Sequence, residues 1–224
     1  MKRDWRTFFA RLLFITLILS IVYTIVRIIQ TPAEFTSDFE FIKVRSDYVL
    51  MLLQCLLGLF VMTLPSIIKK RFSIQIPSIV EVLYYIFLYC AIYLGEVRSF
   101  YYLIPFWDTI LHAFSGAMLG ALGFSLVSML NREVSHYVRL SPFFIALFAF
   151  SFALAFGSLW EIYEFSMDFI FKTNMQKYIT YEGVVLVGNE ALLDTMKDII
   201  VDSISALSVS IFGYFYLINQ SNKL

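Results

Sequence analysis

The chain of 224 residues is 60% hydrophobic and only 15% charged, with a mean hydropathy of +0.78. So much apolar surface excludes an ordinary soluble domain, and composition alone selects the membrane class. Its 17 basic and 17 acidic residues cancel, which removes the basic face that a nucleic-acid partner needs.

The opening Met1-Lys2-Arg3-Asp4-Trp5-Arg6, followed by an apolar run, imitates a secretory signal. Arg27, and the lack of a small-x-small cleavage pattern before Gln30, predict instead a retained first span. Crossing a hydrocarbon core of ~30 Å takes about twenty helical residues. Six segments qualify, roughly 8–29, 48–68, 78–96, 106–129, 142–167 and 197–218. Pro65 breaks the second near its end, while Pro77 and Pro142 open the third and fifth at first-turn positions that a helix tolerates. No long linker, repeat or low-complexity tract interrupts them, so the expected architecture is a single all-α, polytopic membrane helical bundle of about six transmembrane helices. Cys55 and Cys90 lie in apolar runs without metal or redox spacing and are expected to be small core residues. Of the 17 basic residues, ten (Lys2, Arg3, Arg6, Arg11, Lys69, Lys70, Arg71, Arg132, Arg139, Lys223) fall on the side of the N-terminus and seven on the other. The short loops carrying Lys69-Lys70-Arg71 and Arg132 with Arg139 share that side, which predicts an N-in, C-in orientation in the cytoplasmic (inner) membrane.

Against this apolar background the acids form ladders. Asp108 and His112 lie four apart at the start of the fourth span; Glu161, Glu164 and Asp168 follow an i, i+3, i+7 pattern at the end of the fifth; Asp194, Asp198 and Asp202 follow i, i+4, i+8 at the start of the sixth. An acidic side chain at membrane depth costs about 2.5–3.5 kcal/mol even on the mild insertion scale. Because successive helices alternate in direction, all three ladders, with Glu96 at the close of the third span, fall at the outer face. Each ladder continues into small residues (Ser115, Gly116, Gly120 and Gly123; Gly157 and Ser158; Ser205 and Ala206), the usual lining of a helix side that meets another helix in a membrane.

The carboxylates of Asp108, Glu161, Glu164, Asp168, Asp194, Asp198 and Asp202 have no evident arginine partner on these faces and cannot all remain ionised and uncompensated. Two outcomes are physically reasonable: divalent cations neutralise them, or some hold and exchange protons. An oxygen-rich set suits Mg²⁺, Mn²⁺ or Ca²⁺, and one imidazole also admits Zn²⁺ or Fe²⁺. The candidate metal ligands are His112, Asp108, Glu161, Glu164, Asp198 and Asp202, with Asp168, Asp194 and Glu96 behind them. Glu161 and Asp108 are the candidate catalytic pair. Plainer readings stand beside these. Asp194-Thr195 suits the N-cap of the sixth span, Glu164 and Asp168 suit the headgroup layer, Glu96 after Gly95 suits a helix end, and His112 with Asp108 suits a structural pair. His136, between Arg132 and Arg139, reads as a solvated loop residue, and Tyr84, Tyr85, Phe143 and Phe144 read as lipid-facing or interfacial. There is no phosphate-binding glycine loop, dinucleotide fingerprint, Gly-x-Ser-x-Gly elbow or His-Glu-x-x-His helix.

The run Trp107-Asp108-Thr109-Ile110-Leu111-His112-Ala113-Phe114-Ser115-Gly116, then Leu159-Trp160-Glu161-Ile162-Tyr163-Glu164-Phe165, then Asp194-Thr195-Met196-Lys197-Asp198, resembles the YjdF-like family of bacterial inner-membrane proteins. Leu64-Pro65 through Ile76-Pro77, and Gly95-Glu96 before Phe100-Tyr101, fit the same pattern, which covers roughly residues 40–215. The resemblance implies a polytopic membrane protein and names no substrate. A looser likeness, to the VanZ-type membrane proteins, rests on Asp-x-x-x-His, an acidic motif and a final Asp-bearing helix.

The residues thus support a metal-dependent membrane hydrolase or transferase acting on a lipid-linked or envelope substrate. The alternatives are a proton- or cation-coupled transporter and a non-catalytic membrane scaffold. Six spans lack the two-half repeat of secondary transporters, which a homo-oligomer would restore. The expected partners are the lipid bilayer and a small-molecule or lipid substrate, with no nucleic acid.

Overall fold

The computed structural model describes residues 4–31, 43–72, 76–133, 140–180 and 182–221. His136, Lys2, Arg3, Arg139, Lys223 and the side chain of Arg132 lie outside the described residues, and with them the loop reading of His136. The described chain is all-α and carries six helices long and apolar enough to cross a membrane, the number expected. Two compact units emerge: Met1–Trp107 with Met167–Met175 and Ile179–Val185, and Asp108–Ser166 with Gln176–Tyr178 and Leu186–Leu224.

The first unit begins with α1 (Trp5–Gln30). Asp4 caps it, accepting from the Thr7 hydroxyl at 2.5 Å and the Thr7 amide at 3.3 Å, and these bonds hold its carboxyl below the usual range. The expected second span divides into α2 (Arg45–Val61) and α3 (Leu64–Phe72). Pro65 sits in the first turn of α3, where its missing N–H is harmless. Tyr84 donates to the Val61 carbonyl freed at the break, at 2.7 Å. The third span starts as α4 (Ser78–Leu88) and continues as a π-helix over Tyr89–Val97. Its wider register alters the helical bonding pattern, and Trp107 Nε1 donates to the Cys90 carbonyl at 3.3 Å. A short α5 (Phe100–Leu103) follows.

Leu13 and Leu17 of α1, Cys55 of α2, Tyr85 and Leu88 of α4 and Ile92 form the core of this unit. Gly58 allows the approach, since a Cβ there would lie 2.7 Å from Ile92 Cδ1. Tyr85 is therefore a core residue and not a lipid-facing one, and Tyr84 is anchored by its hydroxyl. Composition could not reveal this, because the core and the lipid want the same ring. Phe143 and Phe144, by contrast, are exposed as expected.

Glu81, in the first turn of α4, is only 2% exposed. Lys69 Nζ lies 2.7 Å from its Oε1, and an Arg6 nitrogen lies 3.5 Å from Oε2. Glu81 is the buried member, while Lys69 and Arg6 keep contact with solvent, so removing the carboxylate strands only screened charge. Glu81→Ala is expected to destabilise the protein by about 1 kcal/mol, read from thermal melts in detergent.

The second unit is built from α6 (Trp107–Glu133) from Asp108 onward, α7 (Pro142–Phe171) up to Ser166, and α8 (Asn189–Ser221). Its helices meet at glycines. A Cβ on Gly116 would lie 2.7 Å from the Asp202 carbonyl oxygen, and one on Gly157 would lie 2.6 Å from Asp202 Oδ2. Gly120 faces Ala206, Gly123 faces Ala149 and Phe152, and Gly213 faces the Phe124 ring. The stripe on α6 is thus shared, Gly116 and Gly120 serving α8 and Gly123 serving α7. Backbone approach without side chains between is how apolar helices gain contact when lipid competes equally for their surfaces.

Candidate functional site

Seven acids were singled out on α6, α7 and α8, and the second unit gathers several of them around one histidine. Asp108 opens α6, and His112 lies one turn later on the same side, with Nε2 3.8 Å from Asp108 Oδ1. The same nitrogen is 3.8 Å from Asp198 Oδ2 of α8 and 4.0 Å from Glu161 Oε1 of α7. The other ring nitrogen, Nδ1, is 3.2 Å from Asp202 Oδ2. Asp202 is itself held by Ser115, whose hydroxyl donates to Oδ1 at 3.1 Å. One imidazole therefore touches carboxylates from three helices.

The site is nearly dry. His112 is 7% exposed, Glu161 4%, Asp198 1% and Asp202 2%. Glu164, a turn beyond Glu161, is also buried, and Asp108 keeps the most exposure. Neither oxygen of Glu161 has a partner of hydrogen-bonding geometry among the described residues, although the Thr195 hydroxyl is near enough for a weak interaction. Asp198 Oδ1 is likewise unsatisfied. Buried polar oxygens are nearly always satisfied, so these are open to a proton, a water or an ion.

The two nitrogens of His112 have different tasks. If Nδ1 carries its proton toward Asp202, Nε2 presents a lone pair to Asp108, Asp198 and Glu161. A lone pair facing three carboxylates repels them, and only a positive charge between them reverses the sign. That charge is either a metal ion or a proton, carried by the ring or by one of the facing carboxyls. One ligand atom from each of Asp108, His112 and Asp198 lies within 4.8 Å of the others. With metal–ligand bonds of about 2.0–2.6 Å, atoms so spaced reach a common ion. Asp202 sits behind the ring instead, in the place where metal-bound histidines are oriented by a carboxylate.

The remaining candidates are placed differently. Asp194 is not the N-cap of the sixth span, because α8 starts at Asn189 after Gly188, whose φ of 61° ends the preceding turn. It lies inside the helix, half-buried, on the ladder leading to Asp198. Asp168 belongs to the first unit, where its Oδ1 accepts from Thr173 Oγ1 at 2.7 Å and from the Met175 amide at 2.6 Å, shaping the exit from α7. Glu96 also belongs to the first unit, at the end of the π-helix, and its carbonyl accepts from Lys43 at 3.4 Å. Lys177, which was not among the expected site residues, stands in a left-handed conformation (φ 52°) between α7 and α8 and acts on Glu164 and Asp194, the latter together with Lys197. Beside it, Gln176 donates to the Thr195 hydroxyl on α8 at 2.9 Å. A lysine in the polar connection between two acidic ladders was the available signal.

No curated protein and no solved structure matches the chain. A family match covers residues 11–219, nearly the whole chain, and takes in all three acidic ladders. The YjdF-like resemblance agrees with it. The chain therefore belongs to the family described as predicted membrane protein (DUF2238).

Proposed function

We propose that this multi-pass membrane protein is a metal-dependent hydrolase or transferase acting on a lipid-linked or envelope substrate. One observation carries the reading: a single buried imidazole nitrogen faces Asp108, Asp198 and Glu161 at 3.8–4.0 Å while Asp202 fixes the ring from behind. In this reading His112, Asp108 and Asp198 hold a divalent ion, with Glu164 adding negative charge nearby. A nitrogen and several carboxylate oxygens favour a borderline ion such as Zn²⁺, Fe²⁺ or Mn²⁺ over Ca²⁺. Such an ion polarises a phosphoryl or carbonyl oxygen and makes water acidic. Glu161, whose oxygens are unsatisfied, accepts the proton of the attacking water or hydroxyl. Asp202 is a positioning residue that acts through His112. With the N-in, C-in orientation that the basic residues favour, the site opens toward the outer face of the cytoplasmic membrane.

Elemental analysis of the purified protein is expected to find about one divalent ion per chain, lost in His112→Ala. The second reading is a proton-coupled transporter, favoured by the same distances, since an imidazolium would also pair with these carboxylates. It expects no tightly bound metal and a pH-dependent flux in liposomes that Glu161→Gln abolishes. A protein with no bound divalent ion and no affinity for added Zn²⁺, Fe²⁺ or Mn²⁺ would rule out the enzyme reading.

A further inference from the structure

A second polar cluster lies in the first unit, where α1 begins, α3 ends and α4 begins. A cavity of about 450 Å³ opens there, lined by Arg6, Arg11, Lys69 and Glu81, with Phe14 and Ile15 on its apolar side. That volume falls in the range of small-molecule sites, about 300–1,000 Å³. Three basic side chains meet one carboxylate, an excess of two positive charges. Glu81 is engaged by Lys69 and Arg6, whereas Arg11 has no ion pair or hydrogen bond among the described residues. Phe14 and Ile15 are half-exposed along α1, directly continuous with the charged rim.

A cavity cationic at its mouth and apolar along one flank matches a phospholipid better than any soluble anion. A phosphate satisfies the arginines, and acyl chains cover the exposed side chains of α1. By the distribution of basic residues this end of the spans faces the cytoplasm, where such pockets take anionic headgroups. We propose that this cavity binds the headgroup phosphate of an anionic phospholipid, with Arg11 and Arg6 as its principal contacts. Lys69 is shared with Glu81, whose carboxylate bridges it to Arg6.

Native mass spectrometry of the full chain in detergent, with equal phosphatidylglycerol and phosphatidylcholine of matched acyl chains, tests the assignment. The wild type is expected to retain phosphatidylglycerol selectively. Arg11→Gln is expected to reduce that retention about fivefold, as loss of one basic contact near a membrane surface should. Ala10→Phe, which narrows the cavity while keeping every charge, is expected to act in the same direction, so the result does not hang on one variant folding. The pair Lys70→Gln and Arg71→Gln, outside the cavity wall, is expected to leave retention unchanged. Three outcomes would each overturn the proposal: equal retention of the two lipids, equal loss in the Lys70/Arg71 pair, or displacement of the lipid by millimolar inorganic phosphate, which would indicate a site for the free anion.

Discussion

Glu161→Gln is expected to raise the melting temperature of the metal-free protein and, on the proposed metal site, to shrink the stabilisation that added divalent ion provides. The two effects have opposite signs because the same carboxylate is a liability without a cation and an asset with one. Glu161 is 4% exposed, has no well-formed hydrogen bond, and shares the surroundings of His112 Nε2 with Asp108 and Asp198. An unsatisfied buried group costs about 1–3 kcal/mol, more when charged. The amide removes the charge and supplies two donors to a region rich in acceptors. The metal-free variant should gain about 1–3 kcal/mol, or roughly 2–4 °C for each kcal/mol in a chain of this size. In the wild type, ion at a hundred times its dissociation constant adds about 2.7 kcal/mol, and the variant should show less because a negative charge beside the ion is gone. On the proposed hydrolase or transferase reading, activity should be lost with it. Melts in chelator and in added Zn²⁺ or Mn²⁺ read both effects. An unchanged metal-free melting point together with a full metal-dependent gain would mean that Glu161 is paired and stands apart from the site.

The part of this site that could be read from the sequence is the part that helical periodicity controls. Spacings of four bring Asp108 to His112 and Asp198 to Asp202, and the alternation of spans brings their ends together. The rotation of each helix about its axis is a different matter, set by packing across the interface. Hence Asp202 reads as one more ligand in the sequence, yet Gly116 and Gly157 seat it against α6 and α7 so that it meets the far nitrogen of His112. The start of α8 was obscured because Asn189 and Glu190 precede the hydropathic run, and only the left-handed Gly188 marks the boundary. Asp168 shows a third reason. Its partners Thr173 and the Met175 amide come from a turn whose left-handed Lys172 no pattern announces. Tyr85 shows a fourth, since hydropathy does not distinguish a ring facing lipid from one packed on Leu13 and Leu17.

Asp202→Asn and Gly157→Ala are expected to weaken metal binding through the same intermediary, His112, by different physical routes. In the wild type Asp202 Oδ2 accepts at 3.2 Å from His112 Nδ1, and Ser115 holds the other oxygen. That arrangement fixes the tautomer whose lone pair lies on Nε2. Asparagine can present its amide nitrogen to Nδ1, which moves the ring proton to Nε2 and closes the ligand position. Loss of such an orienting partner reduces metal affinity by about 10–100-fold. Gly157→Ala leaves the carboxylate intact but displaces it, because the new Cβ would stand 2.6 Å from Asp202 Oδ2 and 3.3 Å from its Cγ. The side chain must swing away from Nδ1 or α7 must retreat, and overpacking of this kind costs about 1–3 kcal/mol in addition to the affinity. Gly120→Ala on α6 serves as the comparison, since its Cβ would lie 3.4 Å from Ala206 Cα of α8, a tolerable contact. Titration with Zn²⁺ or Mn²⁺, paired with thermal melts, separates the cases. Asp202→Asn should lose affinity with little change in fold, Gly157→Ala should lose both, and Gly120→Ala should keep both. Wild-type affinity in Asp202→Asn would return Asp202 to a purely packing role.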